Sequence, residues 1–157
     1  MKASRWLALA FVVTSVAGCA GGPVRRVSEP SARIQQITVQ ADGSWQTQLR
    51  IENFSSIPMR FDSLDVALSV AGEPAGRLTA QPAITIGPES ADVVSTTFAP
   101  SVAAKLAAAD ALASGRSLDY SLAGTVMATP DEKRQRSFEI KRSSALSPAP
   151  GLPGVLR

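Results

Sequence analysis

Few side chains of this 157-residue chain could do chemistry, because it has one cysteine and no histidine. The missing histidine removes the commonest general base and the usual zinc ligand. Asp62 and Asp65 stand three apart in a strand-like segment, so their carboxylates would face opposite sides of that strand. Ser101 and Lys105 are four apart, which is not the spacing of serine–lysine penicillin-recognising enzymes. We therefore expect no catalytic residue, no metal site and no cofactor.

The cysteine closes an N-terminal segment that is first basic and then apolar. Lys2 and Arg5 precede eleven mostly apolar residues, 6–16. As a helix these would span only about 16 Å, which is too short for a stable membrane span. The segment therefore has the organisation of a cleaved signal peptide.

The sequence Val16-Ala17-Gly18-Cys19 resembles the lipobox of bacterial lipoproteins. This resemblance implies a signal peptide over residues 1–18, cleavage between Gly18 and Cys19, and acylation of Cys19. The alternatives are an ordinary secretory signal with an incidental cysteine and a chance apolar start of the chain. A free thiol would be a liability in an oxidising compartment, and acylation removes it. The lipid on Cys19 would make the membrane a partner of the protein.

The location that follows is the bacterial cell envelope. Ala20 would stand in the second position of the mature chain, where enteric bacteria use aspartate to retain lipoproteins at the inner membrane. We therefore expect the outer membrane, with the protein facing the periplasm.

Charge and composition limit the other partners. Removal of residues 1–18 takes two of the 16 basic residues and leaves 14 against 13 acidic ones. The excess of basic over acidic residues is thus too small to indicate nucleic-acid binding. No small-molecule substrate is evident from the sequence. Residues 19–31 hold two glycines and two prolines without hydrophobic periodicity, which predicts a lipidated Cys19 followed by a flexible tether. Arg25 and Arg26 within it could contact anionic lipid head groups or remain solvated.

Period-two alternation then predicts strands. Trp45, Thr47, Leu49 and Ile51 alternate with polar residues after a turn at Asp42-Gly43. Trp45 is interpreted as a packing residue, with a stacking platform as the alternative. Further strands are predicted over 34–40, 61–70, 76–80, 83–86, 91–99, 117–128 and 134–141. This series of short strands with regular turns predicts an all-β, antiparallel β-sandwich over residues 32–142.

Two segments depart from the strand pattern. Residues 101–114 contain seven alanines and predict one short helix, with Ser101 as its N-cap and Gly115 as its left-handed stop. Its apolar face is expected to carry Leu106 and Leu112 against the open end of the sandwich. From residue 143 onward, three prolines and two glycines predict a disordered tail over 143–157.

The order of these features resembles the late-embryogenesis-abundant type 2 domain, also called the water-stress and hypersensitive-response domain. The resemblance covers about residues 32–142 and is carried by Leu49-Arg50-Ile51-Glu52-Asn53, Ser56-Ile57-Pro58, Ile86-Gly87-Pro88-Glu89-Ser90, the alanine-rich helix with Gly115, and Leu118-Asp119-Tyr120-Ser121-Leu122-Ala123-Gly124-Thr125. The run from the alanine-rich helix through Gly115 to Gly124 closely resembles that of bacterial, lipid-anchored members. The family's asparagine–proline–asparagine motif is represented only by its first asparagine, since this chain reads Asn53-Phe54-Ser55.

The resemblance implies an immunoglobulin- or fibronectin-like sandwich and an association with desiccation or stress. It carries no catalytic or ligand residues, and it implies structural roles for Asn53, Pro58, Gly115, Tyr120 and Gly124. We therefore expect a non-catalytic, lipid-anchored envelope protein in stress tolerance or protein protection. The alternative is an accessory lipoprotein that docks onto a larger envelope, secretion or transport complex and so has an envelope protein as partner.

Acylation of Cys19 is directly testable. Metabolic labelling with a lipid probe is expected to mark the protein, because several acyl chains hold a protein stably where one is marginal. The variant Cys19→Ala should lose the label entirely, and a label that persists in this variant would contradict the lipobox interpretation.

Overall fold

The computed structural model describes residue 22 and residues 24–157, which form two packed antiparallel sheets and one helix. The elements in chain order are β1 (Ser31–Val39), β2 (Trp45–Asn53), β3 (Met59–Val70), β4 (Glu73–Ala80), β5 (Ile84–Ile86), β6 (Ser90–Phe98), α1 (Val102–Ser114), β7 (Leu118–Pro130), β8 (Arg136–Leu146) and β9 (Val155–Leu156). The predicted all-β antiparallel sandwich with one short helix is confirmed. The predicted signal peptide, the cleavage position at Gly18 and the acylated Cys19 lie outside the described residues.

The strands divide into two sheets. The first has the order β6-β2-β1-β9 and the second the order β4-β3-β7-β8, with β5 also paired to β3. Strand β8, which carries Arg136, Lys141 and Arg142, lies at the edge of the second sheet. Charged side chains at such an edge oppose edge-to-edge association.

The core lies between the sheets and follows the alternation in the sequence. In β2, Trp45, Thr47, Leu49 and Ile51 are buried. The Trp45 ring packs edge-on against Phe98, with ring centroids 5.9 Å apart and an interplanar angle of 84°. Trp45 is thus a packing residue, and the stacking-platform alternative is wrong.

The helix α1 has the predicted ends but not the predicted face. The Ser101 hydroxyl accepts a hydrogen bond from the Ala104 N–H at 3.2 Å, and Gly115 ends the helix at φ 67°. The residues buried against the sheets are Ala104, Ala108 and Ala111, whereas Leu106 is 67% exposed and only Leu112 is partly buried. With seven alanines, almost every face of this segment is apolar, so spacing could not select one. Within the described part of the chain, no helix has the length and apolar character that a bilayer crossing requires.

The predicted disordered tail over 143–157 is wrong. Residues 143–146 complete β8, and β9 pairs with Ile37 and Thr38 of β1. The glycines that suggested disorder instead make turns, since Gly151 and Gly154 adopt φ of 75° and 73°. These turns return the chain to the sheet, where Leu156 is fully buried.

The predicted flexible tether over 19–31 is also wrong for its described second half. Ser31 opens β1, and the backbone of residues 24–28 is hydrogen-bonded to the loop between β2 and β3. The reason is a pair of serine hydroxyls in that loop, which supply partners for backbone groups of a segment that has no periodicity of its own.

Two leucine substitutions test the position of the helix. Leu106→Ala should change the free energy of unfolding by less than about 0.5 kcal/mol, because the side chain is exposed and alanine favours helix. Leu122→Ala is the matched control: that side chain is 1% exposed, and its loss should cost about 2–5 kcal/mol. Urea unfolding measures both, and a loss above about 1 kcal/mol for Leu106→Ala would place this leucine in a packed environment instead.

Candidate functional site at the N-terminal end of the sandwich

The carboxylates that could do chemistry are held apart in structural contacts. Asp62 accepts hydrogen bonds from Arg60, Thr129 and Gln135, and Asp65 binds Arg77. Among residues 24–157, no three potential metal-ligating side chains come together. The arrangement can therefore build structure, but it assembles no acid–base pair.

The polar side chains that do come together surround Asn53, at the end of β2. Its side chain is 1% exposed and makes four hydrogen bonds. The amide nitrogen Nδ2 donates to the carbonyl oxygens of Ile57, Ile86 and Gly87 at 3.0, 3.1 and 2.9 Å, and the Ser55 N–H donates to Oδ1 at 2.9 Å. The side chain of Asn53 thus joins β2, the loop 54–58 and the end of β5.

The buried serine that follows extends this network to the N-terminal segment. The Ser55 hydroxyl accepts from the Ser28 N–H at 2.9 Å and donates to the Ser28 carbonyl at 3.3 Å. Because a hydroxyl both donates and accepts, it pairs both backbone groups of Ser28 at once. The β2–β3 loop therefore serves as a template for residues 24–28.

The next serine repeats the arrangement nearer to the surface. The Ser56 hydroxyl accepts from the Arg26 N–H at 2.8 Å and donates to the Val24 carbonyl at 2.6 Å, and the Ser56 N–H donates to the Arg26 carbonyl at 3.0 Å. Five backbone groups of residues 24–28 are thus bonded to Ser55 and Ser56: the Val24 carbonyl and the N–H and carbonyl groups of Arg26 and Ser28. This segment is consequently part of the folded domain.

Charged side chains add ion pairs at the same end. Arg25 lies 3.0 Å from Asp131 and 3.2 Å from Glu132 in the β7–β8 turn, and Arg26 lies 3.8 Å from Glu89. Exposed pairs of this kind contribute about 0–1 kcal/mol each, so they orient the segment more than they hold it.

The remaining residues that the sequence singled out have structural positions. The Pro58 carbonyl accepts from the Asp131 N–H at 2.9 Å, which joins two loops of this end. The Tyr120 hydroxyl in the second sheet accepts from the buried Ile34 N–H in the first at 3.2 Å. Gly124 passes so close to β3 that a Cβ would clash with the Asp65 carbonyl and lie 2.6 Å from the Val66 Cα.

Sequence reasoning did not find the roles of Ser28, Ser55 and Ser56. For Ser55 a signal was present, because asparagine two residues before it is typical of an Asx turn. Nothing in the sequence marks Ser28 or Ser56 as the partner of a segment about 30 residues away.

Exposed apolar side chains occur at both ends of the sandwich. Phe54 and Val24, at the N-terminal end, are 48% and 81% exposed. The far end carries α1, whose Val102 and Leu106 are 74% and 67% exposed, and Leu152 beside it. An open groove of about 550 Å³ separates α1 from residues 148–154.

A family model described as late embryogenesis abundant protein matches residues 48–142. Comparison with curated proteins gives no match. Among solved structures, a putative late embryogenesis abundant protein studied in solution aligns with a TM-score of 0.50 at 14% identity, covering 94% of this chain and 80% of that chain. An X-ray structure of a Northeast Structural Genomics Consortium target aligns with a TM-score of 0.50 at 10% identity, covering 81% and 92%. A protein from Arabidopsis thaliana aligns with a TM-score of 0.49 at 12% identity, covering 83% and 88%. At these identities the likeness to solved structures concerns the fold alone.

Removal of the Asn53 amide should destabilise the whole N-terminal end. Asn53→Ala leaves three carbonyls and one N–H without their partner, and we expect a loss of about 3–5 kcal/mol in urea unfolding. Thr47→Val is the matched control in the same strand, because the buried Thr47 hydroxyl has no hydrogen-bond partner among the residues that the structure describes. That substitution should be neutral or stabilising. An Asn53→Ala variant as stable as the wild type would contradict the role given to this side chain.

Acid unfolding should depend on Asp62. The hydrogen bond from Gln135 is the largest cause that lowers the pKa of Asp62 below its ordinary 3.8, helped by Thr129 and Arg60 and opposed by partial burial. A lowered pKa in the folded state stabilises the fold above the unfolded pKa, and this contribution is lost as pH falls through the folded value. Between pH 5 and pH 2, Asp62→Asn should therefore lose less stability than the wild type. Equal losses, measured by urea unfolding across this range, would contradict the assignment.

Proposed function

Because the chain belongs to the late embryogenesis abundant family whose type 2 model matches residues 48–142, we propose that it is a non-catalytic, lipid-anchored envelope protein that protects other proteins during water stress. The observation that carries this proposal is that polar side chains which could do chemistry take part in holding the fold together. Asn53, Ser55 and Asp62 are engaged in contacts that hold the fold together. The work then falls to exposed surfaces of the sandwich.

One surface suits protection during drying. The register pairs Gln48 with Gln36 and Ser95, and Gln46 with Thr38 and Thr97, so these six side chains form a continuous outer face of β1, β2 and β6. We call this set the polar face. All six are exposed or half-buried and none carries a charge.

Uncharged amides and hydroxyls both donate and accept hydrogen bonds. A surface of this kind offers hydrogen-bond partners to any protein whose hydration water is being removed. Low specificity of this sort suits protection of many clients.

The test compares two double variants of the full-length protein. A strain that lacks the protein should lose viability on desiccation and regain it with the wild type. Gln46→Ala/Gln48→Ala should restore viability poorly, because it removes the central amides of the polar face. The matched control is Thr79→Ala/Gln81→Ala in the other sheet. It removes the exposed polar side chains of Thr79, within β4, and Gln81, just after it, and should restore viability fully. Equal rescue by both double variants would contradict protection through the polar face.

A second function, docking onto a larger envelope complex, is favoured by the far end. Val102 and Leu106 leave an apolar stripe of α1 exposed, with Leu152 beside it, and exposed apolar patches commonly mark protein-binding sites. The stripe lies at the end opposite to residues 24–28, which suits a partner that is reached away from the membrane.

Photo-crosslinking in cells distinguishes the two functions. A crosslinker at position 106 should capture one stoichiometric envelope partner if the protein is an accessory subunit, and one at position 81 should not. If neither position captures a partner while deletion impairs survival of desiccation, protection is the better account. A hydrolytic activity abolished by a single-residue substitution would contradict both functions.

A further inference from the structure

The docked N-terminal segment shortens the distance between the proposed lipid and the fold. The backbone of Val24 is bonded to Ser56, so residue 24 already belongs to the folded domain. Only residues 20–23 separate it from Cys19. At about 3.5 Å per residue, the Cα atoms of Cys19 and Val24 can be at most about 17 Å apart. If Cys19 is acylated, this end of the sandwich is therefore confined to the membrane surface.

The side chains at this end are suited to a membrane surface. Phe54 and Val24 are 48% and 81% exposed, and their loops meet at Ser56 and at Arg26, whose Nη2 donates to the Phe54 carbonyl at 3.4 Å. An exposed aromatic ring and an aliphatic side chain beside cations are typical of segments that lie in the interface of a bilayer.

Charge at this end is mixed and contributes little by itself. The charged residues at this end are the cations Arg25, Arg26, Lys133, Arg134 and Arg136 and the acids Glu29, Glu89, Asp131 and Glu132. In the described part of the chain neither Lys133 nor Arg134 makes an ion pair. The excess of one positive charge is small, so burial of apolar side chains must dominate. A tethered contact can be weak and still be occupied, because the anchor raises its effective concentration.

Resting on the proposed lipid anchor, we propose that Phe54 and Val24 lie in the headgroup region of the bilayer that holds the lipid on Cys19. The domain then stands on this end. Strand β3, twelve residues long, runs from Met59 near this end to Val70 at the other, which is about 40 Å. The exposed stripe of α1 is thereby held away from the membrane and open to the periplasmic side.

The experiment uses the acylated mature protein, which begins at Cys19, in vesicles of phosphatidylethanolamine and phosphatidylglycerol. Because Cys19 is the only cysteine and would be acylated, Phe54→Cys introduces a unique site for a polarity-sensitive fluorophore. Leu106→Cys is the matched control, since it places the same label on an exposed apolar position at the far end. Mass spectrometry of each sample reports acylation of Cys19 independently.

The label at position 54 should shift to the blue and lose fluorescence when lipids with a nitroxide near the headgroup are included, and the label at position 106 should do neither. Equal behaviour of the two labels on acylated protein would overturn the membrane contact and leave the anchor intact. Shielding at position 54 that persists in detergent and rises with protein concentration would assign this end to a second copy and also overturn the proposal. An unacylated Cys19 would contradict the anchor, and with it the membrane contact.

Discussion

The hydrogen bonds of the buried Asn53 amide are the constraint on which the N-terminal end of the molecule depends. At this point β2 leaves its sheet, and the backbone groups of three segments turn away from strand pairing. Buried backbone groups without partners are costly, and one amide supplies partners to four of them. The shape of the loop 54–58 follows from this side chain, and so does the position of Ser55 and Ser56, on which residues 24–28 lie.

The polar side chains at this end bond the backbone of the domain itself, as the contacts of Asn53, Ser55 and Ser56 show. Three exposed surfaces are available for interaction. They are the polar face on the first sheet, the apolar side chains of Phe54 and Val24 at the N-terminal end, and the apolar stripe of α1 at the far end. The three surfaces are separate, so the contacts proposed above for a membrane, a client protein and an envelope partner would not compete.

The parts of the fold that the sequence predicts are those with a period. Alternation places Trp45, Thr47, Leu49 and Ile51 on one face of β2. The family resemblance implies structural roles for Asn53, Tyr120 and Gly124, but it does not say which loops, sheets or strands they join. Alternation fails where composition hides it. In α1 the alanines make every face equally apolar, so the buried alanines and the exposed Leu106 could not be told apart. In the tail, glycine and proline signal both disorder and tight turns, and only the three-dimensional neighbourhood of Leu156 decides between them. The docking of residues 24–28 depends on serines about 30 residues away, a contact that no local pattern encodes.

The pairing of β9 with β1 has a consequence for how the molecule is made. Strand β1 pairs with β2 through the hairpin that joins them. Its other neighbour, β9, comes more than a hundred residues later in the chain. The Arg157–Gln36 hydrogen bond at this edge has a separation of 121 residues. Contacts of such high contact order form slowly. Until they form, the outer edge of β1 is an open template for strands of other chains. Strand β9 thus covers the edge of β1 at Ile37 and Thr38 only after the rest of the domain has been made. Its loss would open that part of the edge to other chains and would also remove the buried Leu156 side chain from the core.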